Sequence, residues 1–161
     1  MADRAEVKVL PPFVLLAALG AQVILWYLAP ARMLPAPVSL VLGLAVIAGS
    51  LALGIVAARE IVRARTAIDV RKTTTALVES GVFRLSRNPV YLSMVLLVVG
   101  VGLGLNSFWS LVLVVPTGYA LYLVAIRPEE RYLEAKFGDA YRAYRERVPR
   151  WFSFRRALSR S

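Results

Sequence analysis

The chain has 161 residues, 58% of them hydrophobic, with a mean hydropathy of +0.63 and a formal net charge of +10. A water-soluble domain of this length has too little interior to hide so much apolar surface, so lipid is the expected solvent for much of it. Cys and His are both absent. That removes disulfides, thiolate nucleophiles, imidazole bases and metal sites built on those ligands, and no metal site is expected. Any catalysis runs on Arg, Glu, Asp, Tyr, Asn and backbone groups.

Four apolar stretches follow in chain order. The first covers 13–29, with Gln22 as its one strongly polar side chain, and the second covers 38–58 with no charge. Arg4 and Lys8 before the first stretch, and Ala29-Pro30-Ala31 after it, loosely imitate a signal peptide. Asp3 and Glu6 dilute that basic region and the run is long, so a retained helix is expected. A third stretch covers 90–105 and a fourth 107–126, separated by the Asn106-Ser107 turn. Each approaches the roughly 20 residues that a hydrocarbon core needs, and the third is short. The reading is an all-α polytopic membrane bundle of four transmembrane helices in one domain, with a cytoplasmic loop 59–88 and a cytoplasmic C-terminal segment 127–161.

Basic residues set the expected topology. Arg59, Arg63, Arg65, Arg71, Lys72, Arg84 and Arg87 lie in the second loop, and ten more lie between Arg127 and Arg160. Only Arg32 falls in the first connection. The positive-inside bias then puts both termini and the second loop in the cytoplasm of a cell whose inner membrane holds the protein. The same charge is explained by topology and anionic lipid, and no nucleic-acid partner is expected because no groove or aromatic-interleaved basic motif appears.

Packing accounts for several local features. Gly100 with Gly104 and Ser50 with Gly54 are small-x-x-x-small pairs that let helices approach closely. Pro116 is expected to kink the fourth helix, and Tyr119 and Tyr122 read as residues of the membrane interface rather than of a cavity. Arg59 to Ala67 extends the second helix beyond the bilayer. An irregular segment containing Thr66, Asp69 and Thr73 to Thr75 follows, and Ser80-Gly81 makes a turn. Asn88 is placed as an N-cap with Pro89 at the first helical position, and Arg87 as a snorkelling anchor. Leu133, Phe137, Tyr141, Tyr144 and Val148 recur at helical spacing, which predicts an amphipathic surface helix divided at Gly138, with Asp139 capping its second part. Glu129 and Glu130 start that helix, where its dipole favours acids.

Three segments together carry a resemblance: Thr75 to Phe83 (TALVESGVF), Ser86 to Leu92 (SRNPVYL), and Glu129-Glu130 followed by Leu133, Phe137, Gly138, Tyr141 and Tyr144. In order and spacing this half of the chain resembles the isoprenylcysteine carboxyl methyltransferase and phospholipid methyltransferase superfamily. The resemblance implies methyl transfer from S-adenosylmethionine to a lipophilic or lipid-modified substrate. It implies cofactor-binding positions at Thr75, Ala76, Leu77, Val78, Phe83, Asn88, Pro89, Val90, Tyr91, Glu129 and Glu130, with Asn88, Tyr91, Glu129 and Arg127 as catalytic candidates. Aromatic faces at Phe83 and Tyr91 suit a sulfonium, and the Glu129 carboxylate suits an ammonium or ribose hydroxyls. Two departures stand out. Asn88 replaces the His that well-known members carry and is no base near neutral pH. Ala125 stands where the family has an arginine, with Arg127 only nearby. A prenylated carboxylate, a phospholipid amine and a smaller hydrophobic acceptor all remain compatible, as does a scaffold that keeps the fold without the reaction.

Overall fold

The computed structural model describes residues 9–64 and 74–152. The irregular stretch expected around Thr66, Asp69 and Thr73, the N-terminal Arg4 and Lys8, and the tail after Phe152 lie outside the described residues. Within them every regular element is helical. Helix α1 spans Pro11–Leu28, α2 Ala36–Arg63, α3 Pro89–Gly104, α4 Trp109–Leu121, α5 Arg127–Phe137 and α6 Asp139–Arg147. A 3-10 turn at Gly81–Arg84 precedes α3, and a π turn at Tyr122–Ile126 joins α4 to α5. Prolines occupy the first turns of α1, α2 and α3, where a missing N–H costs nothing.

Three helical stretches are long and apolar enough to cross a membrane: Pro11–Leu28, Ala36–Arg63 and Trp109–Phe137. The fourth expected span, α3, has 16 residues, about 24 Å of rise, against a hydrocarbon core of about 30 Å. Helix α2, with 28 residues, exceeds that thickness, so its last turns, carrying Arg59, Glu60 and Arg63, project beyond the apolar zone.

Burial is inverted relative to a water-soluble domain. Gln22, Ser39, Ser50, Ser110 and Thr117 are buried, whereas Phe13, Leu16, Leu40, Val41, Leu51, Leu111 and Val115 face outward. Large apolar side chains outside and small polar ones at helix contacts are what a hydrocarbon solvent selects. Helix α2 packs most extensively on α3, and α1 lies against α3 and α4. The α2–α3 seam is narrow because a Cβ on Gly43 would sit 2.3 Å from the Gly104 nitrogen, and one on Gly100 would sit 2.9 Å from the Ile47 nitrogen. Across this seam Ser50 Oγ donates to the Ser93 carbonyl at 3.1 Å and Ser39 Oγ donates to the Leu103 carbonyl. Gln22 explains its own presence in an apolar helix. In the amide orientation that satisfies both of its polar atoms, the nitrogen donates to the Val98 carbonyl at 3.2 Å and the oxygen accepts from the Gly102 N–H at 2.5 Å.

The turn between α3 and α4 locks onto the first connection. Asn106 adopts a left-handed φ of 52°, and its side-chain oxygen accepts from the Met33 and Leu34 N–H groups, both at 3.1 Å. Its amide donates to the Leu34 carbonyl at 2.7 Å.

At the basic end the structure corrects two local expectations. The helix does not restart at Arg127: it runs unbroken from Trp109 to Phe137. Pro128 cannot donate to the carbonyl four residues back, and the π turn just before it widens the backbone to accommodate the ring. Glu129 and Glu130 therefore sit within a continuous helix, and no free helix terminus accounts for them. The break at Gly138 occurs as expected, with φ of 54°. Asp139 is the first residue of α6 and makes no capping bond; it pairs with Arg142 at 2.6 Å instead.

Candidate functional site

The site assembles where α2, the loop before α3, α5 and α6 meet. The projecting end of α2 anchors the loop: Ser80 Oγ donates to Glu60, and a Cβ on Gly81 would lie 2.8 Å from the Glu60 carboxyl carbon. Gly81 has φ of 53°, and that left-handed backbone is what favours glycine there. The following 3-10 turn buries Phe83, whose carbonyl accepts from the Tyr144 hydroxyl at 2.7 Å.

The apolar face of the C-terminal helices is used against the protein itself. Tyr141, Tyr144 and Val148 are buried together with Leu77, Leu133 and Phe137 packed against them. The amphipathic pattern that predicted a helix lying on the membrane therefore clamps α5 and α6 onto the loop at Leu77 and Phe83.

A second clamp follows. The Arg87 N–H donates to the Pro149 carbonyl at 2.9 Å. Ser86 Oγ and Asn88 Nδ2 both donate to the Arg150 carbonyl, at 3.2 and 3.1 Å. Asn88 occupies the N-cap position of α3 but makes no capping bond, because its side chain is committed to this strap. Arg87 does not snorkel: its side chain is 7% exposed and its Nη2 lies 3.4 Å from Glu130. Glu130 also takes both Nε and Nη2 of Arg150, at 3.0 and 2.7 Å. One carboxylate thus serves two guanidiniums, and the Arg150 guanidinium is held more firmly protonated by that bond to Glu130.

Between these clamps lies a small cavity of about 70 Å³. Ile61, Thr74, Ala76, Leu77, Val78, Phe83, Arg87 and Asn88 line one side, and Glu129, Glu130, Leu133, Tyr141 and Tyr144 the other. Burial pushes the Tyr141 phenol up to about 12, helped by Glu130 and opposed by Arg87, which accepts no proton from it but donates to its oxygen at 3.4 Å. Burial raises the Tyr144 phenol as well. Arg87 Nε is buried and has no hydrogen-bond partner among the described residues, which is unusual for so costly a donor.

Most of the residues singled out from the sequence meet in this cavity: Ala76, Leu77, Val78, Phe83, Asn88, Glu129 and Glu130 line it. Thr75, Pro89, Val90, Tyr91 and Arg127 do not. The Tyr91 ring is packed with Leu121, Ala125 and Ile126, and only its hydroxyl reaches the site, donating to Glu129 Oε2 at 2.7 Å. It positions that carboxylate through one of its two oxygens. Arg127 is exposed on the helix surface. Ala125 is fully buried, so the position lacking the expected arginine is part of the core. Sequence reasoning missed Arg150 as the second partner of Glu130, and nothing distinguishes it from nine other basic residues of that segment.

A second, larger cavity of about 640 Å³ lies on the flank of α3 and α4. Leu92, Val95, Val114, Val115, Gly118, Tyr119, Tyr122, Arg150 and Trp151 line it. Tyr119 and Tyr122 thus border a cavity while remaining near the bundle's rim. Arg150 closes one end, its guanidinium 4.9 Å above the Tyr122 ring. The Arg150–Glu130 pair therefore stands between the two cavities.

No solved structure matches the chain. An uncharacterized protein of Haemophilus influenzae (strain ATCC 51907 / DSM 11121 / KW20 / Rd) is 37% identical over 62 residues, covering 38% of this chain and 98% of its own length. The model of the phospholipid methyltransferase family matches residues 38–140. That match takes in nearly all of α2, the whole loop before α3 and the helix bearing Glu129 and Glu130, so every residue lining the small cavity except Tyr141 and Tyr144 falls within it, and the chain belongs to the phospholipid methyltransferase family.

Proposed function

We propose that the protein is an S-adenosylmethionine-dependent methyltransferase acting on a lipophilic acceptor at the cytoplasmic face of the inner membrane, with four membrane spans. The observation that carries this reading is the convergence of Ala76 to Val78 and Phe83 with Glu129 and Glu130 around one cavity, in a chain of a methyltransferase family. The concentration of Arg and Lys at that end of the bundle supports the orientation.

The residues fit the cofactor's chemistry. The Glu129 carboxylate, positioned by the Tyr91 bond to Oε2, suits an ammonium or ribose hydroxyls. The unpartnered Arg87 Nε suits the carboxylate of the methionine part. The buried rings of Phe83, Tyr141 and Tyr144 suit adenine and the sulfonium. The cavity must widen, since ligands of this size occupy pockets of about 300 Å³ or more. The wall that yields is Thr74 to Val78, which has no regular secondary structure of its own.

When bound, S-adenosylmethionine supplies an electrophilic methyl, whose carbon–sulfur bond breaks as an acceptor lone pair takes the carbon. The protein's part is alignment and exclusion of water, which direct displacement needs more than a covalent nucleophile. Asn88 supplies no base: its amide holds the strap, so an acceptor arrives with its lone pair already available.

Calorimetric titration of S-adenosylmethionine into the purified protein, in detergent and in lipid, tests this. Saturable binding is expected. It should weaken by about 10- to 100-fold in Glu129→Ala, the usual worth of a hydrogen bond to a charged group, and by a comparable factor in Phe83→Ala. A folded wild-type protein that binds no cofactor in either medium would leave a scaffold reading in its place.

A further inference from the structure

The flanking cavity and Arg150 together point to the charge of the acceptor. We infer that the groove on α3 and α4 binds the hydrocarbon chain of an amphiphile whose anionic headgroup is received by Arg150. This rests on the methyltransferase reading and names the substrate class for it.

The groove walls are aliphatic, from Leu92 and Val95 on α3 and Val114 and Val115 on α4. Its volume of about 640 Å³ is that of a site for a ligand with an extended apolar part. Gly118 keeps it open, since a Cβ there would meet nothing within 4 Å. Val115 and the neighbouring Leu111 and Val112 are exposed, so the groove belongs to the surface that meets lipid, and a chain enters it sideways without crossing water.

Among the described residues no acidic side chain lines the groove, and Arg150 is the cation that does. The guanidinium keeps one edge on Glu130, through Nε and Nη2, and its face on Tyr122. Its Nη1 donates to no protein acceptor among the described residues, and the side chain is 38% exposed. Glu130 does not cancel this charge, because Arg87 shares the same carboxylate; Arg87, Glu130 and Arg150 together carry one net positive charge. A carboxylate or phosphate headgroup completes the free edge with charge-assisted bonds. A cationic headgroup would be driven into a guanidinium in a poorly screened site. Arg150 also stands at the wall of the small cavity through Glu130, so a headgroup held there lies at the passage between chain and methyl donor.

The test uses the full chain in dodecyl maltoside, with Trp26→Phe and Trp109→Phe, leaving Trp151 in the groove wall as the fluorophore. Chain-brominated dodecanoate, dodecyl phosphate and dodecyltrimethylammonium serve as quenchers, without cofactor. Saturable quenching by an anionic probe at least tenfold tighter than by the cation is expected, and the two anionic arms decide between carboxylate and phosphate. Arg150→Gln should bring all three within about twofold, Arg150→Lys should keep the preference, and Gly118→Leu should abolish saturable quenching. Equal affinity for anion and cation in the wild type, a preference that survives Arg150→Gln, or saturation that survives Gly118→Leu overturns the inference. Cofactor titration is a separate measurement, so loss of the charge preference and loss of the methyltransferase reading are distinguishable.

Discussion

The bilayer half and the basic end of this protein are held together by different means. In the first, backbones approach until glycine is the only residue that fits, as at Gly43 and Gly100, and short hydroxyls bond to carbonyls across the seam. In the second, long side chains reach from one element to another: Arg87 and Arg150 to Glu130, Tyr91 to Glu129, Tyr144 to Phe83. The contrast follows from solvent. Lipid rewards close van der Waals contact and satisfied backbone groups, whereas beyond it water competes for every polar atom and only multiply bonded charges stay fixed. Damage should therefore be electrostatic at one end and steric at the other.

The largest effect is expected at the shared carboxylate. Glu130→Ala leaves two guanidiniums facing each other with no counter-charge, and should lower stability by about 3 kcal/mol, read as a fall in the thermal midpoint in detergent. Glu130→Gln should recover little of it if charge is what matters. An unchanged midpoint in both would remove the electrostatic half of the contrast.

Raising the pH attacks the same end without mutation. Tyr141 is held neutral by burial up to about 12 in the folded protein, against an ordinary 10 when unfolded. Its contribution is intact below pH 10 and is lost as pH rises through about 12, because the unfolded chain releases the proton first. The loss should be about 2–3 kcal/mol, and Tyr141→Phe should flatten that part of the stability profile.

Steric damage comes next. Gly43→Ala forces a methyl against the backbone of Gly104 and should cost about 2 kcal/mol. Gly104→Ala, whose Cβ would meet nothing within 4 Å, should be near neutral although both residues lie at one contact. Equal effects from the two would mean that the seam relaxes and is less rigid than its geometry implies.

The bilayer half is also the part that sequence makes legible. Hydropathy located α1 to α4 to within a few residues at most ends, because apolar runs, proline starts and the Asn106 turn are local signals. The run-on of the fourth helix through Pro128 was not legible, since proline reads as a beginning and the π turn that absorbs it leaves no compositional mark. At the candidate site the motif spacing brought out residues on both walls of the cavity. The partners are another matter. Arg87 and Glu130 are 43 positions apart, and Asn88 and Arg150 are 62, so no periodicity joins them. The Tyr91 ring, expected to face a ligand, is spent on the core and acts through its hydroxyl alone.

The π turn at Tyr122–Ile126 has one more consequence. Every residue of an α-helix turns the chain by about 100°, and a π turn lodges an additional residue in a single coil. The membrane-facing pattern of α4 and the inward-facing pattern of α5 are thereby offset from one another on a single rod, like two keys cut on one shaft at different angles. Removing Val124 alone would turn that coil into an ordinary α turn, so the rod would shorten slightly while Glu129 and Glu130 kept facing Arg87 and the lipid contacts of α4 stayed as they were.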